Sequence, residues 1–190
     1  ERYAENDTFG WGIVFSDQAL TALQDADAET HAEIVAAFRH WDGIDIFFRG
    51  QQLHSRGHGF AGIARTRLLD ILRQRAIRLG VRLSYETPIT DPADLAGFDL
   101  VVAADGVRSA TRRRHESVFR PQIDVGDCRF IWLATARKLD SFVFDFRETE
   151  FGWFTLHAYP FDTGASTVII ETTDATWRKA GLDRCSTAQG

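Results

Sequence analysis

The spacing of apolar residues predicts helices through the first half of the chain and strands through the second. Ser16 reads as an N-cap, with Asp17 favourable in the first turn, for a helix running to about residue 23. Residues 28–38 read as a second helix, because Ile34, Val35 and Phe38 share a face that excludes Glu29, Glu33 and Arg39. A longer stripe of Leu68, Leu69, Ile71, Leu72, Ala76 and Leu79 predicts a third, with Arg67, Asp70, Gln74 and Arg78 facing outward and Gly80 closing it. Between the second and third helices, residues 44–54 alternate in part around Arg49-Gly50, the pattern of a β-hairpin.

Further along, residues 81–85 alternate as a strand, and Asp91-Pro92 marks a turn before a short helix around residues 93–96. Residues 99–104 read as a central buried strand running into Asp105-Gly106 and then a short basic helix capped by Ser109. From Cys128 onward the pattern becomes strands, at 130–135, 142–146, 151–159 and 166–171, which predicts an antiparallel sheet. Phe142, Phe144 and Phe146 share one face of it, as do Trp153, Thr155, His157 and Tyr159. Such a face is either the core of the sheet or an aromatic wall for a planar ligand, and His157 and Tyr159 are the candidates to face a substrate. The expected class is α/β: a partial Rossmann-like domain over residues 1–43 and 55–120, a sheet over 44–54 and 121–178, and a tail over 179–190.

The carboxyl end of a buried strand, followed by a tight turn and a helix N-terminus, is where open α/β sheets hold phosphate-bearing cofactors. Asp105 and Gly106 occupy that turn; the alternative is an ordinary βα connection in which they serve only the backbone. Gly10 and Gly12 flank Trp11 in a loop whose backbone must approach something closely, a ligand being one candidate. Arg65 stands just ahead of the third helix, where a guanidinium adds positive potential to the helix dipole; the alternative is a surface salt bridge. Glu1 fits the acidic position that ends the second strand of a dinucleotide-binding βαβ unit, which would place the glycine-rich turn before residue 1; otherwise it is a surface residue. His54 and His58 are four apart, but Gly57 and Gly59 argue against the helix that would make this a metal pair.

Composition narrows the function classes. Hydrophobic residues make up 44% of the 190, enough for a core, and the formal charge of −5 offers no basic footprint for nucleic acid. No apolar run approaches the ~20 residues of a membrane span, and a cytoplasmic location is expected. Cys128 and Cys185 are the two cysteines, without CxxC spacing, so neither a disulfide scaffold nor a zinc site is indicated. Lys138 and Lys179 are the only lysines, and there is no methionine.

Residues 101–112, with apolar positions leading into Asp105-Gly106, Ser109 and Arg112, resemble the "DG" motif of the single-component flavoprotein aromatic hydroxylases. Arg65-Thr66-Arg67-Leu68 is similar to the place where that family sets an arginine against its cofactor. With residues 7–12, 57–65, 131–133 and 148–159, the likeness narrows to the flavin hydroxylases acting on aromatic acyl-CoA esters. It covers essentially the whole chain but only the middle of the family's monooxygenase region, and the chain is expected to be a fragment lacking an N-terminal glycine-rich turn and a later Gly-Asp segment. The resemblance implies FAD held by Glu1, Arg2, Gly10, Gly12, Arg65, Asp105 and Gly106, with His157 and Tyr159 towards a small aromatic substrate, free or as its CoA ester. It further implies reduction of FAD by NAD(P)H, addition of O2 to give a flavin hydroperoxide, and oxygen transfer to an electron-rich ring. No side-chain acid or base is demanded for that transfer, so no catalytic residue is assigned. A halogenase or reductase on the same scaffold, or a binding domain without cofactor, are the alternatives.

Overall fold

A computed structural model describes residues 1–184; the rest of the expected tail, Cys185 included, lies outside the described residues. Two compact units make up the chain, Glu1–Glu5 with Ser84–Gly126, and Asn6–Leu83 with the segment from Asp127 onward. This division differs from the expected one at residues 43 and 54, because the first helices and the strands around them pack with the later sheet.

In the larger unit, β1 (Gly12–Phe15), β5 (Phe60–Ala64) and β2 (Arg39–Trp41) form an antiparallel sheet in the order β1-β5-β2. Helices α1 (Asp17–Ala26), α2 (Ala28–Ala36) and α3 (Arg65–Arg78) accompany it. Ser16 caps α1, its hydroxyl accepting from the Ala19 N–H at 3.2 Å, and Asp27 caps α2. Ile34, Ile63, Leu68 and Ile71 form the core, with Ile13, Phe15, Leu23 and Phe38 against them. Two of the six residues of the expected α3 stripe, Leu68 and Ile71, are therefore buried and Ala76 is half-buried, while Leu69, Leu72 and Leu79 are exposed. Arg75 grips Asp27 at 2.8 and 3.0 Å, which ties α3 to the start of α2. None of the three strands was expected, since each is short and is defined by its partner rather than by its own period.

The second sheet has the order β4-β3-β7-β8-β9-β6, built from β3 (Gly43–Phe48), β4 (Gln51–Ser55), β6 (Cys128–Thr135), β7 (Ser141–Thr149), β8 (Gly152–Pro160) and β9 (Ser166–Thr173). The β3–β4 hairpin turns through Arg49 and Gly50, both at positive φ (48° and 77°), as a two-residue turn matched to strand twist requires. The sheet is mixed rather than purely antiparallel: β3 pairs in parallel with β7, reached by a long connection through the smaller sheet. Helix α6 (Asp174–Lys179) follows β9 and is capped by Thr173.

The smaller unit departs furthest from expectation. Residues 99–104 form no strand and are exposed, Leu100 and Val102 by 79% and 80%. A strand's backbone groups are satisfied only by neighbours, and among the described residues this unit supplies none. Residues 81–85, which pass from the larger unit into this one at Ser84, likewise form no regular strand, although Glu86 and Thr87 donate to the carbonyls of Tyr3 and Glu1 at 3.1 and 2.9 Å. Short helices α4 (Ala110–Arg114) and α5 (Glu116–Phe119) complete it, with a 3-10 turn at Pro92–Leu95 capped by Asp91.

Candidate functional site

The loop entering β1 is shaped by what its glycines lack. Gly10 has φ 84°, and a Cβ there would lie 2.6 Å from the Trp132 indole. A Cβ on Gly12 would overlap the Phe161 side chain. The close approach read from the sequence is thus an approach of protein to protein, with the loop laid on the β6 side of the six-stranded sheet. Gly12 is also tied through its backbone: its N–H donates to Thr167 Oγ1 at 3.2 Å, and its carbonyl accepts from the Tyr159 hydroxyl at 3.0 Å. Tyr159, expected towards a substrate, is instead buried, stacked on Trp41 at 6.3 Å, and committed to this clamp. A buried phenol needs such a partner, and burial pushes its hydroxyl pKa upward.

Arg65 adjoins the same loop, its N–H donating to the Trp11 carbonyl at 2.7 Å. It opens α3, which has no side-chain cap and no acidic residue in its first turn. Unsatisfied N–H groups and the positive end of the dipole make such a terminus receptive to an anion. Arg65 Nε is buried without a hydrogen-bond partner among the described residues, so the alternative of a salt bridge does not account for it. Beside it opens a cleft of about 230 Å³ lined by Phe38, Ala64, Arg67 and Phe161.

Trp132 begins a row of side chains across one sheet face. Register places Trp132 opposite Ile169, Ile169 opposite His157, and His157 opposite Phe144. The His157 ring meets Phe144 edge-on at 5.0 Å, and its Nε2 lies 3.6 Å from a Glu171 carboxylate oxygen. Trp132 Nε1 is a second buried donor without a partner among the described residues. Glu171 was missed by sequence reading: it sits at the end of a strand, and only the β8–β9 register brings it to His157. Phe142 stacks on Phe144 at 4.7 Å and 12°, so the expected aromatic face is present.

In the smaller unit, Asp105 serves its own turn. One carboxylate oxygen accepts from the Ser109 hydroxyl at 2.6 Å and the other from the Thr111 N–H at 3.1 Å, while Ser109 Oγ accepts from the Arg112 N–H. Gly106 has φ 76° with open space where a Cβ would stand. Ser109, and next the Thr111 amide, hold the Asp105 carboxyl well below the usual carboxylate range. A depressed folded pKa means that the stabilisation is complete above the unfolded value of about 4 and is lost as pH falls through the lower folded value. Protection of the Thr111 amide, taken relative to its intrinsic exchange rate at each pH, is therefore expected to fall on acidification below about pH 4, and in Asp105→Ala to be low at neutral pH as well. Glu1, expected at a ribose, accepts from the Tyr3 N–H at 3.0 Å, which lowers its pKa, and the Arg2 guanidinium lies 4.8 Å from the Tyr3 ring.

His54 and His58 belong to hydrogen-bond networks, His54 Nδ1 with Asp45 at 2.8 Å and His58 Nε2 with Ser55 Oγ at 2.7 Å. No group of three metal-ligating side chains occurs among the described residues, and none of the described helices is long and apolar enough to cross a membrane.

No protein-family profile matches the chain. It is 38% identical over 183 residues to salicyloyl-CoA 5-hydroxylase of a Streptomyces species, covering 96% of this chain and 35% of that protein. It is 33% identical over 165 residues to 3-hydroxy-4-methyl-anthranilyl-[aryl-carrier protein] 5-monooxygenase of Streptosporangium sibiricum, covering 87% of this chain and 46% of that protein. The chain thus spans between a third and a half of the length of these relatives. Its fold matches PqsL of Pseudomonas aeruginosa, described as a probable FAD-dependent monooxygenase, with a TM-score of 0.66 at 13% identity over 96% of this chain and 54% of PqsL. The chain is thus similar to parts of curated aromatic hydroxylases and monooxygenases, and it shares the fold of PqsL.

Proposed function

We propose that the complete protein is an FAD-dependent monooxygenase that uses NAD(P)H and O2 to hydroxylate an aromatic ring carried as a thioester. The observation that carries this reading is the junction of Arg65, the Gly10–Gly12 loop and the Trp132–His157–Phe144 row. It sets a cationic, uncapped helix end beside an aromatic sheet face. The buried Arg65 Nε fits an anionic or carbonyl-rich cofactor, because a buried donor is satisfied only by an acceptor. Bound FAD would supply the oxygen chemistry, with one oxygen atom going to the ring and the other to water.

The chain's own residues supply binding, orientation and dryness. Arg65 holds the cofactor through its guanidinium and the α3 terminus. Phe144 and His157 receive the aromatic ring, with Glu171 orienting the imidazole as a positioning residue. Gly10 and Gly12 keep the loop seated. Both named relatives act on an aryl group attached to a carrier, which supports a thioester substrate here.

The test is the protein expressed from its complete gene and reconstituted with FAD. The reading expects flavin absorbance after gel filtration, and NAD(P)H oxidation that depends on an added 2-hydroxybenzoyl or 2-aminobenzoyl thioester. A colourless protein that oxidises neither NADH nor NADPH with any such thioester would overturn it.

A further inference from the structure

Resting on that reading, we propose that Phe48, Arg49 and Trp153, at the outer end of the aromatic face, form a binding site for the nucleotide end of a coenzyme A thioester. The rings run outward without a break. Phe144 stacks with Phe146 at 6.5 Å, Phe146 meets Phe48 at 6.3 Å, and Phe48 stacks with Trp153 at 5.9 Å and 17°. Trp153 lies four residues from His157 along β8, roughly 13 Å at strand rise. That separation is shorter than a fully extended pantetheine arm, so an aryl group at His157 and a nucleotide at Trp153 would be joined by an arm that bends over the intervening rings.

The chemistry at the outer end is that of a base and its phosphates. A cleft of about 300 Å³, at the lower end of the size of ligand pockets, is lined by these side chains together with Phe146 and Asp145. Phe48 and Trp153 remain 42% and 39% exposed, so the rings offer area for stacking. The Arg49 guanidinium lies 5.3 Å from the Phe48 ring and 6.0 Å from that of Trp153, held at the hairpin tip by a left-handed turn. Its acidic neighbour Glu148 is 4.0 Å away with both side chains more than 60% exposed, a weak pair that a phosphate can replace. Arg147 and Asp145, which alternate to the other face of β7, pair with each other at 2.8 Å, so that carboxylate is neutralised. A phosphopantetheine arm on a carrier protein has no base to stack, so this chemistry favours free coenzyme A over a carrier.

The experiment titrates the complete FAD-loaded protein with coenzyme A, adenosine 3′,5′-bisphosphate and pantetheine, following tryptophan fluorescence. Coenzyme A and the bisphosphate are expected to bind competitively and more tightly than pantetheine. Arg49→Gln and Trp153→Leu should each weaken the bisphosphate by about tenfold. Glu148→Gln should tighten it, an effect that general surface damage would not produce. The kcat/KM preference for an aryl-CoA over the same aryl group on pantetheine should fall in parallel. Bisphosphate affinity indifferent to Arg49 and Trp153, or weakened alike in all three variants, would overturn the site; so would a preference for a carrier-protein thioester that coenzyme A does not compete away. If the nucleotide binds as stated but no thioester is hydroxylated, the site stands and the monooxygenase reading falls.

Discussion

Gly12→Ala is expected to destabilise the larger unit by about 3 kcal/mol, at the upper end of the usual cost of overpacking. The new methyl group would occupy the volume of the Phe161 side chain, and neither side can yield. Gly12 is held in β1 by its pairing with Ala64 and by hydrogen bonds from its N–H to Thr167 and from Tyr159 to its carbonyl. Phe161 is itself buried. For a unit of this size the change corresponds to a fall of roughly 10 °C in Tm. Gly126→Ala is the control: its Cβ would meet nothing within 4 Å, and the effect should stay within about 0.5 kcal/mol. The functional consequence follows from the same geometry. Because Gly12 seats the loop that receives Arg65, the variant should lose flavin affinity only together with stability, and below its transition should bind FAD nearly as the parent does. Loss of FAD binding with an unchanged Tm would show instead that Gly12 touches the cofactor directly.

Arg65→Met should move stability and cofactor affinity in opposite directions. In the protein freed of FAD, Arg65 Nε is a buried donor without a partner, an arrangement that costs about 1–3 kcal/mol. Methionine keeps much of the apolar stem and removes the donor, while the backbone N–H to the Trp11 carbonyl is untouched. The apoprotein is therefore expected to melt higher than the parent. With FAD present the sign is expected to reverse, since the charge-assisted hydrogen bond proposed between Arg65 and the cofactor would be lost and affinity should drop by roughly ten- to a hundredfold. Paired thermal melts with and without FAD read both effects. An Arg65→Met apoprotein that melts lower than the parent, with FAD affinity unchanged, would make Arg65 a purely structural residue.

Much of this fold is written locally. Ser16, the α2 face, the α3 stripe, the Arg49-Gly50 hairpin and the four later strands each carry a signal confined to a few neighbours, and each stands where that signal places it. What escaped was set by partners distant in the chain. β1, β2 and β5 exist as strands because they pair with one another, and β3 runs parallel to β7 only through tertiary packing. Residues 99–104 show the converse, a strand-like composition that forms no ladder because its unit supplies no neighbour among the described residues. The site divides in the same way. Arg65 and His157 were legible from a helix start and a strand alternation, whereas Glu171 reaches His157 only across a strand register. Tyr159 shared the legible face, yet the Gly12 carbonyl claims its hydroxyl, and Asp105 satisfies its own turn before it can serve anything else.

The central claim is that oxygen from O2 enters the aromatic ring. The measurement that tests it most directly is product analysis after turnover of the complete FAD-loaded protein, under isotopically labelled O2, with NAD(P)H and a 2-hydroxybenzoyl or 2-aminobenzoyl thioester. The account predicts one labelled oxygen on the ring of each product molecule and none drawn from solvent. Flavin-dependent consumption of NAD(P)H that leaves the ring unlabelled, or that instead reduces or halogenates it, would contradict it.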